Sequence, residues 1–311
     1  MKRFTLTRIN NWLFSYLIVL YLIFIDSSVN FGQVIEINVP SNSFRETFSL
    51  PPQIKEASGL VITNDKNFWT HNDGGVPVLF CLDSTGSIIK TIHLNHRNNG
   101  WEDLAHQNGA LYVASIGNNK NIRKDLRILK LLYPDTITQP IVTSEVIKFK
   151  YENQTEFPPH QKDFNFDADA LVAINQNLYI FTKNRTKPFT GYTNIYKLPN
   201  HAGDHKAILV DSLFLGKGPM FDYWITGADI SPDQSMIALL GHQCVWILKN
   251  FKIDSFSSGR VYKLNLNHFS HKAGIAFSSN STLYIVDEQE LGLPGGKVYS
   301  LDLNPIRSRL K

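Results

Sequence analysis

Residues 56–82 read EASGLVITNDKNFWTHNDGGVPVLFCL and contain the pattern that decides the fold. A small residue precedes Leu60, a polar loop follows, and an aromatic-rich run begins at Phe68. A further apolar run, Val78–Leu82, comes after the turn-forming residues Asp73-Gly74-Gly75. Short runs in which apolar and polar positions alternate predict β-strands rather than helices. This stretch therefore predicts the first strands of an antiparallel sheet.

The opening of this stretch recurs four more times along the chain. The five openings are Ser58-Gly59-Leu60, Glu102-Asp103-Leu104, Asp169-Ala170-Leu171, Ala228-Asp229-Ile230 and Ala273-Gly274-Ile275, at spacings of 44, 67, 59 and 45 residues. Repeats of ~45 residues with four strands each are typical of β-propellers. We therefore predict an all-β protein, a β-propeller of five four-stranded blades. A six-bladed propeller is the alternative, if one of the long spacings contains a degenerate blade.

The last repeat reaches only its third strand, Lys297–Leu301, before the chain ends. The segment Phe44–Leu50, which lies before the first repeat, has the pattern of a strand. We predict that this segment closes the last blade, because joining the two ends of the chain removes an exposed sheet edge.

The first 32 residues have the pattern of a signal peptide. Three basic residues precede a largely apolar run, Trp12–Ile25, and small or polar residues follow it. This run of 14 residues is shorter than the roughly 20 that a spanning helix needs. We therefore predict a signal peptide over 1–32 and a single propeller domain over 33–311, exported to the periplasm or the extracellular space. An uncleaved anchor, which would add a membrane contact, is the alternative.

Charge and missing motifs argue against several classes of function. The formal net charge of the chain is +4, and removing 1–32 leaves 28 basic and 26 acidic residues, or +2. So small a charge argues against nucleic acid as a partner. The chain also lacks G-x-S-x-G, H-E-x-x-H, P-loop, G-x-G-x-x-G and C-x-x-C sequences. Serine-hydrolase, zincin, nucleotide-binding and redox functions therefore lack their usual signatures.

Polar residues are concentrated where the first strand of each repeat starts and where its second strand ends. In an antiparallel pair these two places share one edge. The first-strand starts carry Glu56, Glu102, Asp103, Asp167, Asp169, Asp229 and His271, and the second-strand ends carry His71, Asn72, Asp73, Asn118, Asn119, Lys183, Arg185, His242, Asp287 and Glu288. We expect an acidic, amide-rich face around a central channel. Each Asp or Asn taken alone is equally well explained as a turn former.

Crowded carboxylates take up protons, recruit Lys or Arg, or bind a cation. Carboxylate and amide oxygens suit calcium, whereas zinc usually takes Cys and His ligands. Glu56, Asp169, Asp229 and Asp287 are the predicted metal ligands, with calcium as the candidate ion. The predicted catalytic residues are His71, Glu102 and Asp103, and the predicted ligand-binding residues are Asn72, Asp73, Asn118, Asn119, Lys183, Arg185 and His271.

Several motifs resemble those of a family of exported propellers of unassigned activity, akin to the SdiA-regulated family. They are Glu56-Ala-Ser-Gly-Leu60, His71-Asn-Asp-Gly-Gly75, Trp101-Glu-Asp-Leu-Ala105, Gly117-Asn-Asn119 and Thr226-Gly-Ala-Asp229, within a similarity over about residues 50–302. More distantly the chain resembles gluconolactonase, phosphotriesterase and esterase-like phytase propellers. The resemblance implies channel-mouth positions for Glu56, Glu102, Asp103, Asp169 and Asp229, and further metal or substrate contacts at Asn72, Asn119 and Asp287. Where such relatives carry Lys-Glu-Gly-Ile, this chain has Lys272-Ala273-Gly274-Ile275, one carboxylate fewer.

Two functions follow from these observations. The first is ligand binding without catalysis, with a small molecule, a glycan, a peptide or a cell-envelope protein as the partner. The alternative is a calcium-dependent hydrolase of an ester, lactone or phosphoester. In that case calcium would polarise the substrate oxygen, and a channel carboxylate or His71 would act as the base.

Overall fold

The computed structural model describes residues 34–63, 66–289 and 295–311, so the predicted signal peptide lies outside the described residues. The structure is all-β. The strands are β1 (Ile35–Asn38), β2 (Phe44–Ser49), β3 (Ala57–Ile62), β4 (Phe68–Asn72), β5 (Val78–Leu82), β6 (Ile88–Leu94), β7 (Trp101–Gln107), β8 (Ala110–Ser115), β9 (Arg127–Leu132), β10 (Ile141–Val142), β11 (Glu145–Tyr151), β12 (Ala168–Ile174), β13 (Asn177–Thr182), β14 (Tyr192–Pro199), β15 (Gly203–Phe214), β16 (Gly227–Ile230), β17 (Met236–Leu240), β18 (Cys244–Lys249), β19 (Arg260–Asn265), β20 (Lys272–Ser279), β21 (Thr282–Asp287) and β22 (Lys297–Asp302). Short 3-10 helices cover Pro134–Thr136, Gln161–Asp163, Met220–Tyr223, Phe256–Ser258 and Asn304–Arg309.

Antiparallel pairing groups these strands into four-stranded units, numbered here in chain order. Unit 1 is β3–β6, unit 2 is β7–β9 with β11, unit 3 is β12–β15, unit 4 is β16–β19, and unit 5 is β20–β22 with β2. In unit 5, Phe44 of β2 lies opposite Leu301 of β22, and Ser49 lies opposite Lys297. The predicted closure of the last repeat by the segment before the first one is therefore confirmed.

Three parallel pairings at the outer edges were not predicted from the sequence. Strand β1 pairs with β19 and β10 pairs with β6, so that units 4 and 1 each gain a fifth strand. Strand β11 pairs with β15, which joins units 2 and 3 into one sheet of eight strands. Each pairing satisfies backbone groups that an open edge would leave to solvent.

The first strands of the units, β3, β7, β12, β16 and β20, contact one another in cyclic order, and β20 returns to β3. The ring is tight enough to require glycine. Gly59 has a φ of +67°, and a Cβ added there would lie 2.7 Å from the nitrogen of Leu104. A Cβ added to Gly274 would lie 2.7 Å from the carbonyl carbon of Gly59. This closed ring gives the molecule a propeller-like fold.

The hydrophobic core is divided in the same way. Each of its five clusters of buried side chains lies between two neighbouring units, including one between unit 5 and unit 1. Trp69 and Trp101 are buried in the cluster between units 1 and 2, together with Cys81. Trp246 and Cys244 are buried between units 3 and 4. Apolar burial therefore holds each unit to both of its neighbours. None of the helices in the part of the chain that the structure describes has the length and hydropathy to cross a membrane.

Candidate functional site

The first strands start, and the second strands end, at one end of the central ring. Asn72 lies opposite Ala57 in unit 1, Ser115 opposite Trp101 in unit 2, and Asp287 opposite Lys272 in unit 5. We call this end the acidic mouth and define it by Asp73, Glu102, Asp169, Lys183 and His271. The strand registers therefore bring polar residues together at this end, as expected.

Glu102 occupies a gap that two glycines leave open. A Cβ added to Gly100 would lie 3.2 Å from Glu102 Oε1, and one added to Gly117 would overlap the same oxygen. The Glu102 side chain is half-buried, and its carboxyl group makes no hydrogen bond with any residue in the described ranges. The backbone carbonyl of Glu102, by contrast, accepts a 2.7 Å hydrogen bond from Ser58 Oγ. The backbone is therefore fixed while the carboxyl group stays available.

The charge of the mouth changes the acidity of its carboxyl groups. Burial raises the pKa of Glu102 well above its usual range, and the carboxylates of Asp169 and Asp73 raise it further. Burial raises the pKa of Asp73 to about 6, with added contributions from Asp169 and Glu56. Glu102 is therefore a weaker acid than an ordinary glutamate, and in its protonated form it can both donate and accept a hydrogen bond.

Two ion pairs neutralise the other carboxylates of the mouth. Lys183 pairs with Asp169, and both side chains are about nine-tenths buried. Arg185 Nε donates to the buried Asp167 at 2.6 Å, and Arg185 also donates to the amide oxygen of Asn119. Burial acts to lower the pKa of Lys183, but Asp169 and Asp167 outweigh it and raise that pKa above its ordinary value. Lys183 therefore remains charged at this end of the ring.

Histidines from units 4 and 5 form the other side of the mouth. His271 Nδ1 lies 3.3 Å from Glu288 Oε2, and the His271 ring lies 5.0 Å from the ring of His242. His242 is buried, and neither of its ring nitrogens has a hydrogen-bond partner among the described residues. Burial lowers the pKa of His242 to about 3, with smaller effects from Lys183 and His271. This ring is therefore neutral at physiological pH.

Aromatic side chains lie beside these histidines. The ring of Phe221 stacks on His242 with 4.3 Å between centroids, and Phe269 lies 6.1 Å from Phe221. The exposed fractions of Phe221 and Phe269 are 41% and 45%. Trp224 lies 5.4 Å from Phe221 and carries the Arg185 guanidinium 4.2 Å from its ring centre. The mouth therefore combines carboxyl groups with an exposed aromatic rim.

Lys272, which was not a predicted site residue, holds the loops that carry this rim. Its fully buried Nζ donates to the backbone oxygens of His242, at 2.8 Å, and His268, at 2.9 Å, and also to Ser270 Oγ, at 3.1 Å. Burial lowers the pKa of Lys272 to about 8. The sequence shows a lysine at the start of a strand, but only the packed structure shows that its ammonium group holds two loops together.

The side chains of His71 and Asn72, two of the predicted site residues, make their contacts within the protein. His71 is fully buried, its Nδ1 lies 3.1 Å from the oxygen of Asn72, and its ring stands edge-on to Trp101. Burial lowers the pKa of His71 to about 4. The Asn72 side chain accepts from the nitrogen of Glu56 and donates to the oxygen of Gln53. In this structure the Asn72 side chain holds the loop that enters unit 1, whereas His71 packs against Trp101.

Asp103 lies inside the ring, next to Glu102 in sequence but on the other face of β7. Its carboxylate accepts backbone N–H groups from Leu104 at 2.9 Å, Leu171 at 2.8 Å and Ala228 at 3.1 Å. The side chain is fully buried, and its hydrogen bonds join units 2, 3 and 4. The contacts that the structure gives Asp103 are therefore those of a cross-link between blades.

Asn118 and Asn119 are also neighbours whose side chains lie in different surroundings. Asn118 is buried, its Nδ2 donates to the oxygen of Phe166, and its Oδ1 accepts from the nitrogen of Arg123. Asn119 is exposed and contacts Arg185 at the rim of the mouth. Asn118 therefore holds the loop, whereas Asn119 is open to a ligand.

The four residues predicted to hold calcium do not meet around one point. Glu56 is exposed, Asp169 is paired with Lys183, and Asp287 accepts the backbone nitrogen of Lys297 at 2.8 Å. Asp229 lines a cavity at the opposite end of the ring. Within 34–63, 66–289 and 295–311, no group of three or more His, Cys, Asp or Glu side chains is placed to hold a metal ion. As placed in this structure, these four residues do not form a calcium site. Calcium binding stays a prediction, and no step proposed below depends on it.

Comparisons with known proteins give structural matches alone. No known protein family and no curated protein matches this chain. The PQQ-bound aldose sugar dehydrogenase from Streptomyces coelicolor matches with a TM-score of 0.48 and 9% identity, covering 84% of this chain and 98% of that chain. A Trichoderma reesei enzyme of carbohydrate-active family AA12 matches with a TM-score of 0.45 and 9% identity, covering 78% and 80%. A catalytically inactive virginiamycin B lyase from Staphylococcus aureus with quinupristin matches with a TM-score of 0.38 and 11% identity, covering 82% and 68%. Similarities this low assign none of these activities to this chain.

Proposed function

We propose that this protein is an exported five-bladed β-propeller whose acidic mouth binds a hydroxyl-rich ligand, a glycan, without transforming it. The five antiparallel units and the five hydrophobic clusters between them support the blade count. The apolar segment Trp12–Ile25 supports export. The observation that carries the binding function is the half-buried carboxyl group of Glu102, which has no hydrogen-bond partner among the described residues.

A hydrogen bond that a ligand makes to the Glu102 carboxyl group adds about 0.5–1.5 kcal/mol to binding, the net value of a typical hydrogen bond. A protonated Glu102 offers one donor and one acceptor, which is the pattern that a hydroxyl group complements. Asp73, with its raised pKa, provides a second carboxyl group in the same charged cluster. Sugar hydroxyls therefore match the polar half of the mouth.

The exposed rings of Phe221 and Phe269 match the other half. Small-molecule sites combine apolar and aromatic walls with a few convergent polar groups. A sugar ring presents an apolar C–H face together with hydroxyl edges, so it can lie on the aromatic rim while its hydroxyls reach Glu102. An aliphatic or strongly anionic ligand would leave the carboxyl groups unpaired or repelled.

The experiment that tests this function is an array of oligosaccharides probed with the purified domain, residues 33–311. The wild-type domain should retain a small set of glycans, and Phe221→Ala and Glu102→Ala should each lose that set. Glu156→Ala is the matched control, since Glu156 is an exposed carboxylate of the loop before β12. An array on which the wild-type domain retains nothing would contradict a glycan ligand.

A hydrolase of an ester, lactone or phosphoester is the second candidate, because a carboxyl group whose pKa is raised is suited to general acid catalysis. Water would then attack the carbonyl carbon or the phosphorus, Glu102 would give its proton to the leaving oxygen, and the Glu102 carboxylate would take up the proton that the water releases. Glu102→Gln separates the two functions, since an amide still forms hydrogen bonds but gives up no proton. Turnover of chromogenic esters that Glu102→Gln abolishes, with the thermal midpoint unchanged, would favour the enzyme.

A further inference from the structure

The outer seam between units 2 and 3 contains an open cavity of about 320 Å³. It is formed by β11, by β15 and by the start of β9 with the loop before it. We call it the basic pocket and define it by its lysine and arginine residues, namely Lys124, Arg127, Lys148, Lys150 and Lys206. Its volume is at the lower end of the range of small-molecule sites, roughly 300–1,000 Å³. None of the residues that define the acidic mouth lines it, so it is a separate location for a ligand.

The registers of three strands bring the positive charges of the basic pocket together. Lys148 and Lys150 lie on the exposed face of β11, because they alternate with buried residues. Arg127 of β9 lies directly opposite Lys148, and Lys206 of β15 lies directly opposite Lys150. Like charges that face each other across neighbouring strands repel and are destabilising. The fold therefore bears an electrostatic cost at this seam that a bound anion would remove.

These opposed side chains are accessible and have no protein partner. Lys148, Lys150 and Lys206 are exposed, and Arg127 is half-buried. Within 34–63, 66–289 and 295–311, none of the four side chains forms an ion pair or a hydrogen bond. Four cationic groups at one cavity are therefore available to a ligand.

The two carboxylates that line the basic pocket do not neutralise it. Asp125 is already paired with Arg123, at 3.0 Å, and Asp204 lies opposite Lys148 without forming an ion pair with it. Five cationic side chains and two carboxylates leave a surplus of three positive charges, with histidine counted as neutral. The whole domain over 33–311 carries only +2, so its positive charge is concentrated at this cavity. A cleft lined by one sign of charge attracts ligands of the opposite sign.

We propose that the basic pocket binds a small soluble molecule that carries two or more linked phosphate groups. A phosphate ester carries about −1.5 to −2 charges near pH 7, more than a carboxylate, and its oxygens accept hydrogen bonds from lysine ammonium groups. The two opposed pairs lie two residues apart along β11, or about 7 Å, a separation over which flexible lysine side chains can converge on one polyanion. A cavity of this size suits a small molecule better than an extended anionic surface.

The test is a calorimetric titration of the purified domain, residues 33–311, with sodium pyrophosphate in a phosphate-free and metal-free buffer. Citrate is the comparison, as a carboxylate anion of similar charge. We expect pyrophosphate to bind with a Kd below ~1 mM and citrate to bind at least about fivefold more weakly. Raising the salt concentration should weaken the binding of pyrophosphate, because the lysines are exposed.

The double variant Lys150→Gln/Lys206→Gln should lose at least about tenfold in affinity for pyrophosphate. Its thermal midpoint should not fall, because the two substitutions remove a repulsion between opposed lysines and no hydrogen bond. Lys252→Gln is the matched control, since Lys252 is an exposed lysine of unit 4, between β18 and β19, and it should keep wild-type affinity. Glu102→Ala at the acidic mouth should also keep it.

Three outcomes would overturn this proposal: no heat of binding for pyrophosphate at millimolar concentration, equal affinity for citrate, or unchanged affinity in the folded double variant. Sedimentation with phosphatidylglycerol vesicles tests a lipid source of phosphate. Binding to these vesicles without binding to pyrophosphate would assign the pocket to a lipid headgroup and overturn the soluble ligand. The result is independent of the glycan array, which depends on Glu102 and Phe221, because the carboxylates of the acidic mouth repel an anion.

Discussion

The carboxylate of Glu102 occupies the space beside the Cα of Gly117 in which any other residue would place its side chain. The glycine is needed for space rather than for backbone conformation, because Gly117 is not among the residues with positive φ. Gly117 and Glu102 lie on neighbouring strand ends of unit 2, so that one blade supplies both the acid and the gap that holds it.

We predict that Gly117→Ala displaces Glu102 and weakens ligand binding by about tenfold, while the thermal midpoint changes by no more than about 2 °C. Alanine is compatible with the φ angle of Gly117, so the added methyl group acts by displacing the Glu102 carboxyl group. Calorimetry with a glycan from the array, paired with a thermal melt, measures both effects. Gly74→Ala is the control, because its added Cβ would make only an ordinary 3.7 Å contact with Glu56. Equal affinity in Gly117→Ala and wild type would contradict the role of the gap.

Asp103→Ala should destabilise the domain by about 3 kcal/mol or more, because it leaves the buried N–H groups of Leu104, Leu171 and Ala228 without their acceptor. Urea unfolding of the purified domain measures this change. Asp163→Ala, which removes an exposed carboxylate, should change the unfolding free energy by less than about 0.5 kcal/mol. If Asp103→Ala unfolds at the wild-type urea concentration, the carboxylate does not cross-link the blades.

The Asp73 carboxyl group should make stability depend on pH in a defined direction. Burial, then Asp169 and Glu56, raise the pKa of Asp73 to about 6 in the folded protein, above its value of about 3.9 in an unfolded chain. The folded state therefore binds the proton more tightly, and the stability that Asp73 contributes is full below pH ~4 and is lost as the pH rises through 6.

Asp73→Asn removes this titration, so we expect it to raise the unfolding free energy by about 1 kcal/mol at pH 7.5 and by much less at pH 4.5. Urea unfolding at the two pH values measures the difference. Asp204→Asn, an exposed carboxylate on the outer strand β15, should show no such trend. A gain for Asp73→Asn that is larger at pH 4.5 than at pH 7.5 would contradict the raised pKa.

Much of the fold could be predicted because each unit repeats a local pattern. The openings at Leu60, Leu104, Leu171, Ile230 and Ile275 all lie within first strands of the ring. The segment Phe44–Leu50 was placed correctly, because an incomplete last repeat needs a partner strand. The pairing of β11 with β15 could not be predicted, since it joins the outer edges of two units, and its register follows from how the blades pack.

The candidate site could be predicted only in part, because the start of β7 is irregular. Glu102 and Asp103 are neighbours, but a shift in register between Trp101 and Asp103 interrupts the regular alternation, and Glu102 lies at the mouth while Asp103 lies inside the ring. Aligning the openings puts Asp229 at the position of Asp103 rather than that of Glu102, a signal that could have separated it from the mouth. Lys272 and the aromatic rim had no such signal, because their positions depend on loops from different units.

The most direct measurement of the central claim is the affinity of the acidic mouth for a glycan selected on the array, with and without the Glu102 carboxyl group. Calorimetric titrations of the wild-type domain, Glu102→Ala and Glu156→Ala at pH 7 provide it. We predict at least about a tenfold loss of affinity for Glu102→Ala, equivalent to ~1.4 kcal/mol, and wild-type affinity for Glu156→Ala. Equal affinity in all three folded proteins would show that the unpaired carboxyl group of Glu102 does not bind the ligand.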